Sequence, residues 1–141
     1  MKPLYLIPLL ALSSPAVAQT SEDYARIGLK SHSVWSCSIL ARYVEDIPEA
    51  ERLFTLGYDL GKTFVEAIKA GKVAREDLGK YPQIMFSDLV EGPSTDFILG
   101  RMYEVVIKRT AKEAFDTTKT SEELKEKASG MSQRQNCSFM D

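Results

Sequence analysis

Two cysteines, Cys37 and Cys137, constrain the fold of this chain more than any other feature of its sequence. They are the only cysteines, and about 100 residues separate them. In an exported protein such a pair is most simply one disulfide, which would join the start of the domain to its end. Closing a loop of that length is worth on the order of 4 to 5 kcal/mol in the chain-entropy model. Free or reactive thiols are the alternative, although the Cys-x-x-Cys spacing of redox sites does not occur.

The first 18 residues predict export. Lys2 is followed by an apolar run over residues 4–12 and by the small-residue sequence Ala-Val-Ala at 16–18, which is the pattern of a secretory signal peptide. We therefore expect cleavage before Gln19, a periplasmic or secreted location, and one domain over residues 19–141. The apolar run is too short to cross a bilayer core of roughly 30 Å, and no later segment is apolar for long enough to span a membrane.

The balance of charge bears on the class of partner. Loss of Lys2 with the signal peptide leaves 17 basic against 20 acidic side chains, a net charge of −3, with both signs interspersed along the chain. Proteins that bind nucleic acid need a basic patch to displace counterions from phosphate. The composition therefore argues against a nucleic-acid partner and against tight binding to an anionic membrane surface.

Helical patterns dominate the rest of the chain and predict an all-α fold, a compact bundle of four to five helices. No stretch alternates apolar and polar residues for long enough to form a strand, and no Asn-Gly or Asp-Gly hairpin turn occurs. The first helix is predicted over Ser21 to Glu45, with an interruption at residues 28–33 left open. The second begins at Asp46, three residues before Glu49 as in a capping box, and ends at Gly71. After a connector, a short helix is predicted from Pro82 to Glu91.

The helix predicted near residues 94–115 differs from the others in its apolar coverage. Apolar side chains occupy about two thirds of its circumference, so we expect it to lie at the centre of the bundle. A narrow charged stripe covers the remainder and is an ion-pair face, a contact surface for a partner or simply a solvated face; it consists of Arg101, Glu104, Lys108 and Lys112.

The last helix and the tail complete the predicted domain. Thr120 and Glu123 have the spacing of a capping box, and Gly130 is predicted to end the helix. The tail then carries Cys137 back to the first helix.

A pair of glycines marks the buried side of the second helix. Gly57 and Gly61 lie four residues apart at the middle of its apolar face, and each costs about 1 kcal/mol relative to alanine in a helix interior. Close packing of another helix would offset that cost. The alternative is a groove whose floor is the bare backbone, with Tyr58 and Trp35 in or beside it.

The only histidine, His32, is the one candidate base for a hydrolytic triad, and it lies among four serines at 31, 33, 36 and 38. A triad also needs a carboxylate that orients the histidine. The sequence does not indicate that any of these serines points towards His32. We interpret His32 as a helix residue and assign no catalytic residue. One histidine and two paired cysteines are too few for a zinc site, so we predict neither metal nor cofactor.

The stretch "FTLGYDLGKTFVEAI", residues 54–68, carries a family resemblance. Its Gly57-Tyr58-x-x-Gly61 run, followed by Ala67, resembles a segment of the small exported helical immunity proteins that neutralise type VI secretion amidase effectors. The resemblance covers about 15 residues. It implies a periplasmic α-domain that acts by occupying a partner protein.

Two functions follow from the sequence. The first is an exported binding module that acts on another envelope protein by protein-protein interaction, as an immunity or inhibitor protein does, and that is not an enzyme. The alternative is a carrier of a small molecule or lipid, with a cavity between helices above Gly57 and Gly61. Self-association of the chain is compatible with either function.

Overall fold

The computed structural model describes residues 19–80 and 91–141. This part of the chain contains five α-helices and no strand, which confirms the predicted all-α class. A single 3₁₀ turn, Cys137–Phe139, follows the last helix. The helices are α1 (Ser21–Tyr43), α2 (Ile47–Lys69), α3 (Arg75–Gly79), α4 (Thr95–Phe115) and α5 (Ser121–Arg134). The predicted signal peptide at residues 1–18 lies outside the described residues, as does all but the last residue of the helix predicted from Pro82 to Glu91.

Side-chain caps begin the four long helices. The Asp46 carboxylate accepts the amide N–H of Glu49 at the start of α2, and Ser94 caps α4 in the same way. Complete capping boxes begin α1, at Thr20, and α5, at Thr120. Because each cap is worth typically about 1 kcal/mol, these starts are set locally, and the predicted starts of α2 and α5 are confirmed.

Helix α1 is continuous through residues 28–33 and ends at Tyr43. Gly28 allows close packing there, since a Cβ atom on it would lie 2.8 Å from ring carbons of Phe64. The helix ends in a Schellman motif, in which the Asp46 N–H donates to the Ala41 carbonyl and the Glu45 N–H to the Arg42 carbonyl. Glu45 occupies the left-handed position of this motif, with φ of 64°.

The central helix is α1, and the expectation that the helix near residues 94–115 takes this place is wrong. Twelve of the 23 residues of α1 are buried, against six of the 21 in α4. Helix α1 contacts α2, α3, α4 and α5. The burial of α1 could not be predicted from its sequence, because several of its buried residues are polar: Ser31, His32, Ser36 and Ser38.

The core has two parts, one on each side of the α1–α2 pair. Between α1, α2 and α4 lies a cluster that includes Trp35, Phe64 and Leu99. Between α1, α2, α5 and the tail lies a second cluster, which includes Leu53, Met131, both cysteines and Ala114 of α4. Helix α4 therefore contributes to both clusters, whereas the buried residues of α5 and the tail belong to the second.

One predicted helix end was wrong, and one short helix was not predicted. Gly130 does not end α5, which continues to Arg134; instead Asn136 adopts the left-handed conformation just beyond it, with φ of 54°. Asn tolerates that conformation better than most residues. The connector after α2 also contains a short helix, α3, which the sequence analysis did not predict.

Candidate functional site

The Gly57–Gly61 pair is covered by α1, and the Trp35 ring fills the space above it. A Cβ atom on Gly57 would lie 2.5 Å from Trp35 Cδ1, and one on Gly61 would lie 2.9 Å from both Leu99 Cδ2 and Ser31 Oγ. Trp35 is 1% exposed, and its indole N–H donates to the Phe54 carbonyl at 3.2 Å. Of the two interpretations of these glycines, helix packing is the one that the structure shows.

Polar side chains of α1 join it to the backbone of α2 at three levels. The Ser31 hydroxyl donates to the Gly57 carbonyl and the Ser38 hydroxyl to the Ala50 carbonyl, both at 2.7 Å. The Trp35 bond to Phe54 lies between them. A helix carbonyl oxygen that already accepts a backbone N–H has a second lone pair. In α2 this lone pair accepts the serine hydroxyls, so the serines can be buried in the central helix.

The other serines near His32 also have structural partners. The Ser33 hydroxyl donates to the Leu29 carbonyl in its own helix, and the Ser36 hydroxyl shares a hydrogen bond with that of Thr110 on α4 at 3.1 Å. Three of the four serines near His32, Ser31, Ser36 and Ser38, therefore hydrogen-bond to other helices, and Ser33 bonds within α1.

His32 itself is buried between helices. Burial and the positive charge of Arg109 lower the pKa of its imidazole to about 4, because both disfavour the protonated ring. The ring is consequently neutral at pH 7. In the parts of the chain that the structure describes, no group of three or more His, Cys, Asp or Glu side chains could hold a metal ion.

Tyr58 connects α2 to the first turn of α4. Its hydroxyl donates to Asp96 Oδ1 at 2.6 Å, and this bond to a carboxylate raises the pKa of the phenol. The residue thus lies at a helix contact, beside the glycine pair with which the sequence analysis grouped it.

The C-terminal tail is fastened to the helices at three points. The predicted disulfide between Cys37 and Cys137 is confirmed, with Cα atoms 5.5 Å apart. Lys30 Nζ donates to the Asp141 carbonyl at 2.6 Å, and the Arg52 guanidinium donates to the Met140 carbonyl at 3.0 Å. Surface depressions lie beside this tail, one next to α2 and Asp141 and one around the disulfide.

The charged stripe of α4 faces solvent, as each of its interpretations requires. Glu104 and Lys108 form an ion pair at 2.7 Å with both side chains more than half exposed, and the hydrogen bond to Lys108 lowers the pKa of Glu104. Arg101 donates to the Glu91 carbonyl and has its guanidinium carbon 5.8 Å from the centre of the Phe97 ring. Lys112 is exposed one turn beyond Lys108.

Large apolar side chains flank this stripe, and none of them was predicted from the sequence as a site residue. Five large apolar residues are exposed among the described residues, and three belong to α4: Phe97 (49%), Ile107 (37%) and Phe115 (50%). The Phe115 ring packs edge-on against Tyr43 at 5.3 Å. On a helical wheel, Phe97 and Phe115 lie in line with Glu104 and Lys108, which is a signal that the sequence contained.

We call this surface the α4 outer face. It is a strip of mixed chemistry, with aromatic rings near its two ends and charges between them. Phe97 and Phe115 lie about 27 Å apart along the helix axis at a rise of about 1.5 Å per residue. The α4 outer face consists of Phe97, Gly100, Arg101, Glu104, Ile107, Lys108, Ala111, Lys112 and Phe115.

Comparisons with known proteins leave the site to be interpreted from its own geometry. No protein-family model matches the chain, and no curated protein or solved structure is significantly similar to it. Within the described residues, no helix is both long and apolar enough to cross a membrane.

Proposed function

We propose that this protein is an exported helical module that binds another envelope protein through the α4 outer face. The observation that carries the proposal is the concentration on α4 of three of the five large apolar side chains exposed among the described residues. Phenylalanine and arginine are both enriched at protein-protein interfaces relative to the rest of the surface. A surrounding rim of charges fixes the orientation of the partner.

Export rests on separate support. The disulfide closes nearly the whole domain, and such bonds persist in oxidising compartments such as the periplasm. The signal-like sequence that precedes Gln19 agrees with this location. A mass measurement of protein recovered from the periplasm tests both points: the chain should begin at Gln19 and be lighter than its reduced form by two hydrogens. Full-length, reduced protein in the periplasm would contradict cleavage before Gln19 and the disulfide.

The proposed action is occupation of the partner. The two phenylalanines would enter apolar sockets near the ends of the contact, while Arg101, Lys108 and Lys112 would face carboxylates on the partner. In an immunity or inhibitor protein, which the resemblance around Gly57 and Tyr58 suggests, such a contact blocks the partner's active surface. This action needs no proton transfer by His32. A folded variant in which His32 is replaced should therefore still bind the partner.

The packing of Trp35 favours this function over the carrier. A carrier would need open space above Gly57 and Gly61, and in the structure the Trp35 ring occupies that space. Two depressions among the described residues lie beside the tail, and neither is lined by Gly57 or Gly61. The proposal therefore relies on an external face of the domain.

A capture experiment with charge-reversed variants tests the proposal. The mature protein is immobilised through its N-terminus, because the C-terminal residues are hydrogen-bonded to Lys30 and Arg52, and is exposed to envelope extract. A stoichiometric protein partner should be retained, and Lys108→Glu/Lys112→Glu should weaken its binding in a salt-dependent way. The matched control reverses two exposed lysines of α2, Lys62→Glu/Lys69→Glu, and should not weaken binding of the partner.

Two outcomes would contradict the proposal. One is a partner that binds the α4 variant and the α2 control equally well. The other is a co-purifying small molecule with no protein partner, which would favour the carrier.

A further inference from the structure

The α4 outer face has the spacing of a helix-pairing seam. Its central line follows intervals of four and three residues in alternation, which is the heptad spacing by which two helices keep one face in contact. None of these positions belongs to the buried side of α4. The seam consists of Phe97, Arg101, Glu104, Lys108, Ala111 and Phe115.

The seam is complementary in charge and side-chain size to a second seam that runs in the opposite direction. Its midpoint is at residue 106, so two antiparallel copies of α4 related by a two-fold axis there would bring together residues equally distant from it. Phe97 would face Phe115 of the second copy, and Glu104 would face Lys108. Each contact would occur twice, as in any isologous two-fold interface.

Long and short side chains also alternate in the required way. Arg101 would face Ala111 of the second copy, and Lys112 would face Gly100. Gly100 has no heavy atom within 4 Å of the position of a Cβ atom, which leaves room for a long side chain to lie across it. The basic residues of one copy would therefore meet small residues of the other instead of each other.

From this pattern we infer that the α4 outer face also pairs with a second copy of the chain, in an antiparallel two-fold dimer. This inference rests on the proposed function, since both use the α4 outer face. The second copy of the chain would be a further occupant of that face. The dimer and the envelope partner would compete, so that self-association regulates how much of the face is free.

The charges at the centre of the seam determine which residues can face each other in this pairing. Glu104 and Lys108 already form an ion pair within α4, and in the dimer two such pairs would form a four-charge network at the two-fold axis. Exposed pairs contribute little individually and are screened by salt, so the ring contacts at both ends supply most of the attraction. We expect a dimer that dissociates on dilution and is weakened by salt.

Sedimentation equilibrium of the mature protein, over the micromolar to millimolar range at low salt, tests the inference. The wild-type mass should approach twice that of the monomer as concentration rises. Glu104→Lys places lysines opposite lysines across the axis and should leave a monomer, since like charges in an interface are strongly unfavourable. Glu104→Lys/Lys108→Glu exchanges both charges and should restore the dimer, while Glu66→Lys, at an exposed position on α2, should dimerise normally.

The double exchange separates this inference from the proposed function. It restores complementarity to a second copy carrying the same exchange, but not to an envelope partner whose charges are unchanged. Dimerisation without partner capture is therefore expected for the double variant. A wild-type protein that stays monomeric at every concentration would overturn the inference, as would a folded Glu104→Lys variant that remains dimeric or a folded double variant that does not recover; none of these results alters the test of partner binding.

Discussion

The indole ring of Trp35 lies directly over Gly57, and a Cβ atom at position 57 would be 2.5 Å from Cδ1 and 2.7 Å from Nε1 of that ring. The ring cannot retreat easily, because its N–H is bonded to the Phe54 carbonyl and its edge contacts the Tyr103 ring at 5.4 Å between centroids. This relationship sets the distance between α1 and α2, and the core cluster between α1, α2 and α4 depends on it.

We expect Gly57→Ala to destabilise the protein by about 1 to 3 kcal/mol, because the added methyl group overpacks a filled interface. Gly100→Ala is the matched control on α4, where nothing lies within 4 Å of the new Cβ atom. There the better helix propensity of alanine should raise stability by up to about 1 kcal/mol. Urea unfolding of both variants gives the two values, and equal effects would argue against the packing described for Gly57.

Replacement of both cysteines, Cys37→Ser/Cys137→Ser, should cost on the order of 4 to 5 kcal/mol, since the unfolded chain regains the freedom of a loop of about 100 residues. The tail should also be held less firmly on α1, because only its hydrogen bonds to Lys30 and Arg52 and the packing of Met140 then remain. Chemical unfolding measures the first effect and amide exchange of α5 and the tail the second. A variant as stable as the oxidised wild type would show that the bridge is dispensable.

His32 should make the protein less stable as the pH falls from 6.5 towards 4. Its pKa is about 4 in the folded protein against 6.5 for the free side chain, so the unfolded state binds the proton first. The stabilisation is complete above pH 6.5 and is lost through this window, by roughly 3 kcal/mol. Carboxylates titrate in the lower part of this range, so the quantity to measure is the difference in unfolding free energy between wild type and His32→Gln against pH. Parallel curves would contradict the prediction.

Glu45 adopts the left-handed conformation at the end of α1, where glycine is favoured. Glu45→Gly should therefore stabilise the protein by about 0.5 to 1 kcal/mol, after allowance for the loss of its ion pair with Lys125 at 3.0 Å. Glu45→Gln keeps the backbone conformation and removes only the charge, so its effect should stay within about 0.5 kcal/mol. If the melting temperature of Glu45→Gly does not rise above that of Glu45→Gln, the backbone at this position is not strained.

Local chemistry determined a large part of this fold, and those parts were predictable from sequence. Helix α2 begins at Asp46 and ends before Gly71, because a cap and a left-handed glycine act within one turn of the chain. The disulfide was predictable because only two cysteines were available. The exposure of Lys108 and Lys112 followed from helical periodicity, which fixes which residues share a face.

Tertiary structure decided what periodicity could not. Helix α1 became the central helix because the carbonyls of Gly57 and Ala50 on a neighbouring helix accept the hydroxyls of Ser31 and Ser38, and sequence does not show where such acceptors lie. The Gly57–Gly61 pair became a packing site because Trp35 covers it. The aromatic ends of the α4 outer face stayed exposed because only one side of α4 packs on the helix pair. The number of apolar residues around a helix indicates how much of its surface could be buried. Which part of that surface is buried depends on the helices that pack against it.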